Sequence, residues 1–475
     1  MACDVSGGDR LPARTVQGIS CLLLAVIVSG AAFGSCLEWE ARYDPPPPGN
    51  YAEARSVAVD SSGNTVTVGF ETRNDLGQGN DWILRKYDKA GSLLWSRSYA
   101  SPVHDDANGV AIAPDGTVVV AGTAGGWWMV RAYGADGADL WSNTMTGVWH
   151  ANAAAVGPDG NVVVVGGFPF WVVRKYSPAG AILWTRTFTD AANPYDDAYG
   201  VAVGPAGDIV AVGQSSQGWC IRLYDAGGND TGGFGEFHDG TPQDVATSVA
   251  MDAAGNLVVG GRIGIGMGVL PIQLKMYDHG GGVRWFRKLW APYTATAVVV
   301  AGDARIYVGS GDGVVGVKSA TGDQVWRDRF DDQGIYMDVS GLAIGPNGRM
   351  IAVGGGGWGT FRTRSYYDLS TCPGAILSPY GSGDVVVAYP NPVTGDTTRL
   401  AVALQADGDE VTVDLFNAAM RCVYTGSWRN VRQGEGGVTM TGLSRLAPGL
   451  YYVKVRERGS RGSHGYPLAR LVIKR

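Results

Sequence analysis

The stretch Leu37-Glu-Trp-Glu-Ala-Arg-Tyr43 looks like the end of a repeat, yet it stands before the first one. Its Trp is followed four residues later by an aromatic residue. Similar spacing closes later units at Trp95/Tyr99, Trp141/Met145, Trp184/Phe188, Trp285/Leu289 and Trp326/Phe330. Each of those units carries three further strand-like runs ahead of its Trp strand. The last set of three runs, ending near Tyr367, has no Trp strand after it. The first strand therefore supplies the one that the last repeat lacks, which closes a ring.

A second ruler runs through the chain. A turn Gly is followed six residues later by another Gly at Gly63/Gly69, Gly116/Gly122, Gly160/Gly166, Gly207/Gly213, Gly255/Gly261 and Gly348/Gly354, with Asp303/Gly309 in the remaining unit. The period, roughly 44 to 53 residues, is that of a four-stranded blade. Alternating apolar runs such as Ser56-Val-Ala-Val59 lead into an Asp/Pro-x-x-Gly turn, where Gly supplies the positive φ of a tight hairpin. The third run reads aromatic-x-x-Arg-x-Tyr, as in Trp82/Arg85/Tyr87, Trp128/Arg131/Tyr133, Trp171/Arg174/Tyr176 and Trp219/Arg222/Tyr224. No helical period intervenes. The expected fold is all-β: a seven-bladed β-propeller over residues 35–374, closed by its N-terminal strand.

Composition agrees. Gly is abundant (73 residues) without a Gly-X-Y period, which excludes collagen. The net charge of −6 and the lack of a basic run exclude a nucleic-acid partner. Arg10 and Arg14 precede an apolar run, Cys21–Val28, and then small residues. Residues 1–34 read as a secretory signal, and no later run has transmembrane length. The mature protein is expected to be secreted or displayed on the cell surface.

Of six Cys, two leave with the signal, and none has metal-ligand spacing. Cys36 and Cys372 hold nearly equivalent places in a closed last blade. They are predicted to form a disulfide clasp, worth about 4–5 kcal/mol in the loop-entropy account. The competing reading makes Phe33-Gly-Ser-Cys36 a lipobox with Cys36 acylated.

After a linker, 375–384, the repeats give way to alternating strands over 385–475. These read as an immunoglobulin-like β-sandwich.

Two resemblances follow from these residues. Arg55-Ser-Val-Ala-Val-Asp-Ser-Ser-Gly-Asn64, with Lys86-Tyr-Asp-Lys-Ala-Gly91 and Trp95, resembles the bacterial beta-propeller repeat family over about residues 37–370. Blade 4 departs with Gly233 in place of Trp. Blade 6 departs with Lys318 and Gly316 in place of Tyr and Arg. Those two blades are expected to be irregular. The C-terminal module resembles the type A sorting domain of type IX secretion cargo. Tyr389-Pro-Asn-Pro392, Val413-Asp-Leu-Phe-Asn417, Leu446-Ala-Pro-Gly-Leu-Tyr-Tyr-Val453 and Arg470-Leu-Val-Ile-Lys-Arg475 carry that likeness, against Met420 where Gly is usual. The resemblance implies transport by the outer-membrane secretion machinery.

Counting ten residues back from each turn position places Glu53, Asp106, His150, Asp197, Val245, Tyr293 and Asp338 at the start of the first strands. With Trp149 and Tyr195 they outline a polar, aromatic rim suited to a glycan, a peptide or a cation. A competing reading pairs the rim acids with the third-strand Arg residues. The third-strand Trp residues either stack on a sugar or pack between blades. No nucleophile elbow, no phosphate loop and no His-x-x-x-His pair occurs. A non-enzymatic binding protein without cofactor or metal is therefore expected. The alternative is a secreted polysaccharide hydrolase or lyase working through rim carboxylates.

Overall fold

The computed structural model describes residues 37–473 apart from 46–49, 74–78, 190–195, 216–217, 237–243, 263–270, 293, 303–304, 312, 330, 333–334, 357–359, 368–385, 390–397, 403–407, 418–420, 432–437, 460–461 and 466–468. The signal segment, the linker 375–384, Cys36 and Cys372 lie outside the described residues.

The protein is all-β. Six four-stranded antiparallel sheets follow one another along the chain at 52–99, 106–145, 150–188, 197–236, 245–292 and 297–329, here sheets 1 to 6. In each, chain order is also spatial order, from an inner strand outward. A seventh sheet holds Ile335–Ile344, Met350–Gly356 and Phe361–Tyr366, and its outer position is filled by Leu37–Tyr43. That N-terminal strand runs antiparallel to Phe361–Tyr366, from Leu37↔Tyr366 to Tyr43↔Phe361.

The turns explain the first half of the Gly ruler. Asp60 Oδ1 accepts hydrogen bonds from Ser62 N (3.0 Å) and Asn64 N (2.8 Å), and Gly63 completes the turn at φ 83°. Asp252 does the same for Ala254 and Asn256. A short acceptor side chain and a left-handed Gly make this turn cheap.

A bulge explains the second half. The inner strand shifts register after Ala54, Ala107, Ala151, Ala198, Ala246 and Val339. The shift drives the backbone carbonyls of Glu53, Asp106, His150, Asp197, Val245 and Asp338 against Gly69, Gly122, Gly166, Gly213, Gly261 and Gly354. Any Cβ there would overlap the carbonyl, so only Gly fits.

Sheets pack face to face. Val66, Val68, Trp82 and Leu84 of sheet 1 share a core with Ala107, Val110, Val118 and Val120 of sheet 2. Equivalent clusters join each later pair. The last sheet meets the first through Ile351, Val353 and Phe361 against Ala52, Ala54, Val57 and Ile83. Trp82, Trp128, Trp171 and Trp219 are fully or almost fully buried in these seams. Each large aromatic so buried contributes about 2–3 kcal/mol.

The outer-strand Trp residues make a second seam. Trp95, Trp141, Trp184 and Trp285 lie over Gly137, Gly180, Gly228 and Gly322 of the following sheet. Three of them donate their indole N–H to a carbonyl beside that Gly: Trp95 to Ala135 (3.0 Å), Trp141 to Pro178 (2.9 Å) and Trp285 to Ser319 (2.7 Å). Trp39, from the N-terminal strand, lies over Gly91 of sheet 1 and donates to the Lys89 carbonyl (3.1 Å). It does for the last sheet what its counterparts do for theirs.

The expected irregularity divides between the two departing repeats. Sheet 4 pairs regularly despite Gly233, which sits opposite Arg222 in an unbroken ladder position. Backbone pairing does not need the Trp. Sheet 6 is shortened, its inner strand reduced to Ala297–Val300.

The C-terminal residues form two further sheets. One holds Val386–Tyr389, Thr398–Val402 and Val438–Met440. The other is built around Gly408–Phe416 between Cys422–Val431 and Gly449–Gly459, with Ala469–Ile473 paired to the latter. Alternate residues Val411, Val413, Leu415, Val453 and Val455 are buried.

Candidate functional site

The inner strands begin at one end of the stack, and the rim residues come together there in two groups. Glu53, Asp106 and Asp338, from sheets 1, 2 and 7, form an acidic sector. The Glu53 carboxyl is held above its usual range by burial. Arg55 offsets this at 3.7 Å, and the charges of Asp338 and Asp106 add to it. Asn80 Nδ2 donates to Asp106 (3.0 Å).

The second group centres on Asp197, whose side chain is 5% exposed. His150 Nε2 lies 2.6 Å from Asp197 Oδ2, and Asn152 Nδ2 donates to Oδ1 (3.0 Å). The Tyr199 hydroxyl, raised to about 12 by burial and by Asp197, also bonds to this carboxylate. Asp197 is thus a satisfied buried anion that orients His150. Beside His150, Trp149 is 54% exposed and packs on Phe168 at 4.7 Å between ring centroids. Tyr195 and Tyr293 lie outside the described residues.

The third-strand Arg residues do not serve these acids. Arg131 and Arg222 each pair with an acid of their own outer strand, Asp139 (2.7 Å) and Asp230. Arg364 pairs with Glu40 (2.7 Å), and Arg85 lies over the Tyr43 ring at 4.3 Å. The ladders give the reason. Arg85 pairs with Thr67 and Thr67 with Val57, four residues from Glu53. One of those four is the bulge residue Arg55, so the ladder separates the two groups by three positions, from Thr67 to Phe70, or roughly 10 Å along the strand at about 3.3 Å per residue. The third-strand Trp residues face the seams and no ligand.

Sequence reasoning missed a deeper ring. The inner-strand residues Arg55, Asn108, Asn152, Tyr199, Thr247, Thr296 and Ser340 converge around a cavity of about 160 Å³, and six of the seven are the extra residues of the bulges. Several tie each sheet to the next. Asn108 Nδ2 donates to the Ala151 carbonyl (3.2 Å), Asn152 to Ala198 (2.9 Å), Thr247 to Ala295 and Thr296 to Val339. The ring is a polar floor spent largely on cohesion. The signal was present in the sequence: a polar residue stands two places beyond each rim position in five of the seven units. At the opposite end a wider hollow of about 910 Å³ opens among the turns of sheets 1 to 4, lined by Val59, Ile112, Val156 and Val203. Among the described residues no His, Cys, Asp and Glu group is arranged to hold a metal ion. None of their helices is long and apolar enough to cross a membrane.

No curated protein matches the chain. Among solved structures, the WD40 domain of Pan2 from Neurospora crassa overlaps with a TM-score of 0.50 at 11% identity, covering 69% of this chain and 94% of that one. A catalytically inactive virginiamycin B lyase from Staphylococcus aureus, with quinupristin, overlaps at 0.48 and 11% identity, over 69% and 99%. A protein of unknown function from Bacteroides caccae overlaps at 0.37 and 18% identity, over 52% and 84%. The likeness to Pan2 is one of fold alone. Residues 387–464 match the family of secretion system C-terminal sorting domains. That family implies export through the type IX machinery, to the cell surface or beyond. The C-terminal module is thus a type IX sorting domain, carried behind a propeller-like stack of four-stranded sheets.

Proposed function

We propose that the protein is an exported, non-enzymatic binding protein. Its seven sheets are the blades of one closed propeller, and its C-terminal module is an immunoglobulin-like sandwich that delivers it. Closure is supported by Trp39, which seats on sheet 1 as the other outer Trp residues seat on their neighbours. Cleavage near residue 35 and a Cys36–Cys372 disulfide complete the mature form in this reading.

One observation carries the binding role. The rim carboxylates of Glu53 and Asp106 gather at one end, while the third-strand Arg residues that would neutralise them are engaged elsewhere. A rim of acceptors above a closed polar floor suits a ligand with many donors. The arrangement favours binding over catalysis because one of its carboxylates, Asp197, is buried and already bonded to His150 and Asn152.

The test is a binding screen of the secreted protein against glycans, peptides and divalent cations, with product analysis on each glycan. Binding without turnover, weakened in Glu53→Gln and Asp106→Asn, supports the reading. Polysaccharide cleavage that disappears in Asp106→Asn would replace it with the hydrolase or lyase alternative. Intact mass of the secreted chain, reduced and non-reduced, tests the clasp, and a diacyl adduct on Cys36 would remove it.

A further inference from the structure

Most tryptophans of the described stack are packed into seams. Two are exposed: Trp127 at 38% and Trp149 at 54%. Both lie at the rim end, on neighbouring sheets. Trp128 N donates to the Val148 carbonyl (2.9 Å), so the residues adjoining the two exposed rings are hydrogen-bonded to each other. Exposed aromatics of this size cost free energy in water, and these two stand on adjoining, hydrogen-bonded segments of one rim.

The backbone holding them is fixed. Trp127 follows a two-residue hairpin turn in which Gly125 and Gly126 have φ 62° and 81°. That turn is anchored from below: Gly125 N donates to Oδ1 of the fully buried Asp105 (2.9 Å), and the Ser101 hydroxyl donates to the same oxygen (2.7 Å). Trp149 is flanked by Val148, which is buried in the seam, and by His150, which is bound to Asp197. Phe168 backs the Trp149 ring from the adjoining hairpin, and its carbonyl accepts from Trp149 N (3.3 Å). Phe168 adopts φ 69°, a conformation that costs a bulky residue of order 1–3 kcal/mol. Such strain persists where its surroundings over-determine it, as at ligand-binding sites.

We infer that Trp127, Trp149 and Phe168 form a shelf for the pyranose rings of a neutral glycan, with the rim carboxylates accepting from its hydroxyl groups. This rests on the binding reading above and names its ligand. A pyranose has an apolar C–H face that lies flat on an indole, and hydroxyl donors around its edge. The shelf supplies the first contact. Glu53 and Asp106, being acceptors, supply the second. A proline-rich peptide would use the aromatic surface too, but its carbonyls are acceptors and would meet rim carboxylates that are acceptors as well. An anionic glycan would meet the acidic sector and a chain of net charge −6. Because both rings sit on anchored backbone, little ordering entropy is lost when a sugar docks.

The experiment titrates the full-length secreted protein with cellohexaose, maltohexaose, mannohexaose and xylohexaose, following tryptophan fluorescence and calorimetry. Hexagalacturonate, choline and decaproline serve as probes of the other chemistries. At least one neutral hexaose should bind, with an affinity nearly unchanged between low salt and 0.5 M NaCl. Trp149→Ala should weaken it by about tenfold or more and Trp127→Ala by about threefold, the sizes expected for losing one stacked ring each. Both positions are exposed, and unfolding curves of the variants check that they remain folded. Binding of a hexaose that is insensitive to both substitutions yet lost in Glu53→Gln would overturn the shelf and leave the rim reading standing. Binding of choline or decaproline alone would overturn the glycan assignment. If no neutral hexaose binds, the glycan assignment fails, and the binding reading fails with it only when the wider screen of peptides and divalent cations is negative as well.

Discussion

Two outer strands do the same job by different means. Asp139–Met145 closes sheet 2, and Leu37–Tyr43 closes the last sheet. Each places a Trp on a left-handed Gly of the next sheet and donates an indole N–H to a nearby carbonyl. The first is joined to its partner strand by a short turn, in which Gly134 N bonds to the Ala138 carbonyl (2.8 Å). That turn sets its register. The second has no such connection, because its partner lies more than 300 residues away in the chain. Its register is set by side chains instead. Glu40 pairs with Arg362 (3.0 Å) and Arg364 (2.7 Å), while Glu38 pairs with Arg349 (2.5 Å) and accepts from Ser365 (3.0 Å). A one-residue slip would turn every side chain to the wrong face, so a strand arriving from far away needs a code of this kind.

The comparison breaks most readily at Glu40. Glu40→Lys sets a third cation beside two largely buried guanidinium groups and should cost about 3–5 kcal/mol in urea unfolding. Asp139→Lys, at a residue 68% exposed, should cost less than about 1 kcal/mol. Equal losses would mean that charge does not specify the closing strand. Recovery of stability in the exchanged pair E40K/R364E would sharpen the claim.

Next in size are Gly91→Ala and Gly180→Ala. Both residues have φ near 85°, and an added Cβ would lie 2.8 Å and 2.6 Å from the indoles of Trp39 and Trp141. Each should lose about 2–4 kcal/mol from backbone strain and overlap together. A much cheaper Gly91 substitution would show the N-terminal strand to be loosely seated.

Trp39→Phe and Trp141→Phe keep one aromatic ring and remove the pyrrole half of the indole with its N–H. Each should cost about 1–2 kcal/mol, with matching losses of amide-exchange protection on the outer strand. Protection lost along Leu37–Tyr43 but retained along Asp139–Met145 would show that the turn, where present, does most of the holding.

The smallest effect concerns Glu53. Its pKa is raised above the ordinary 4.5, so the charged form is disfavoured in the folded state. Its contribution is most favourable below pH 4.5 and declines as pH rises through the folded value. Glu53→Gln should therefore leave stability nearly unchanged in acid and raise it slightly at neutral pH. A variant less stable at pH 7 than the parent would show that the carboxylate is held by bonds rather than crowded by neighbours.

Much of the fold was legible because its cues are short-range. The Asp-x-x-Gly turns, the Gly opposite the bulge and the outer-strand Trp each act within one hairpin or on the adjoining sheet. The rim was half legible. Glu53, Asp106, His150 and Asp197 do stand at the starts of the inner strands, and Asp338 lies three residues into its own, Ile335–Ile344. Their partners were not legible, because Arg85 and Arg131 lie on the same strand set but several residues farther along. Gly233 misled for a related reason: loss of a side chain was read as a sign of an irregular blade, whereas Gly233 keeps its place opposite Arg222.

By itself the sequence determined the strand order, the displaced closing strand and the sorting module, since each is written as a residue pattern whose energy is local. Only the tertiary structure decided what faces the centre. One extra residue in each of six inner strands re-aims Asn108, Asn152 and their counterparts into a shared floor. Two of the freed side chains, Asn108 and Asn152, are accepted by the neighbouring sheet at the Ala151 and Ala198 carbonyls. That acceptance is a contact between repeats, and no single repeat encodes it.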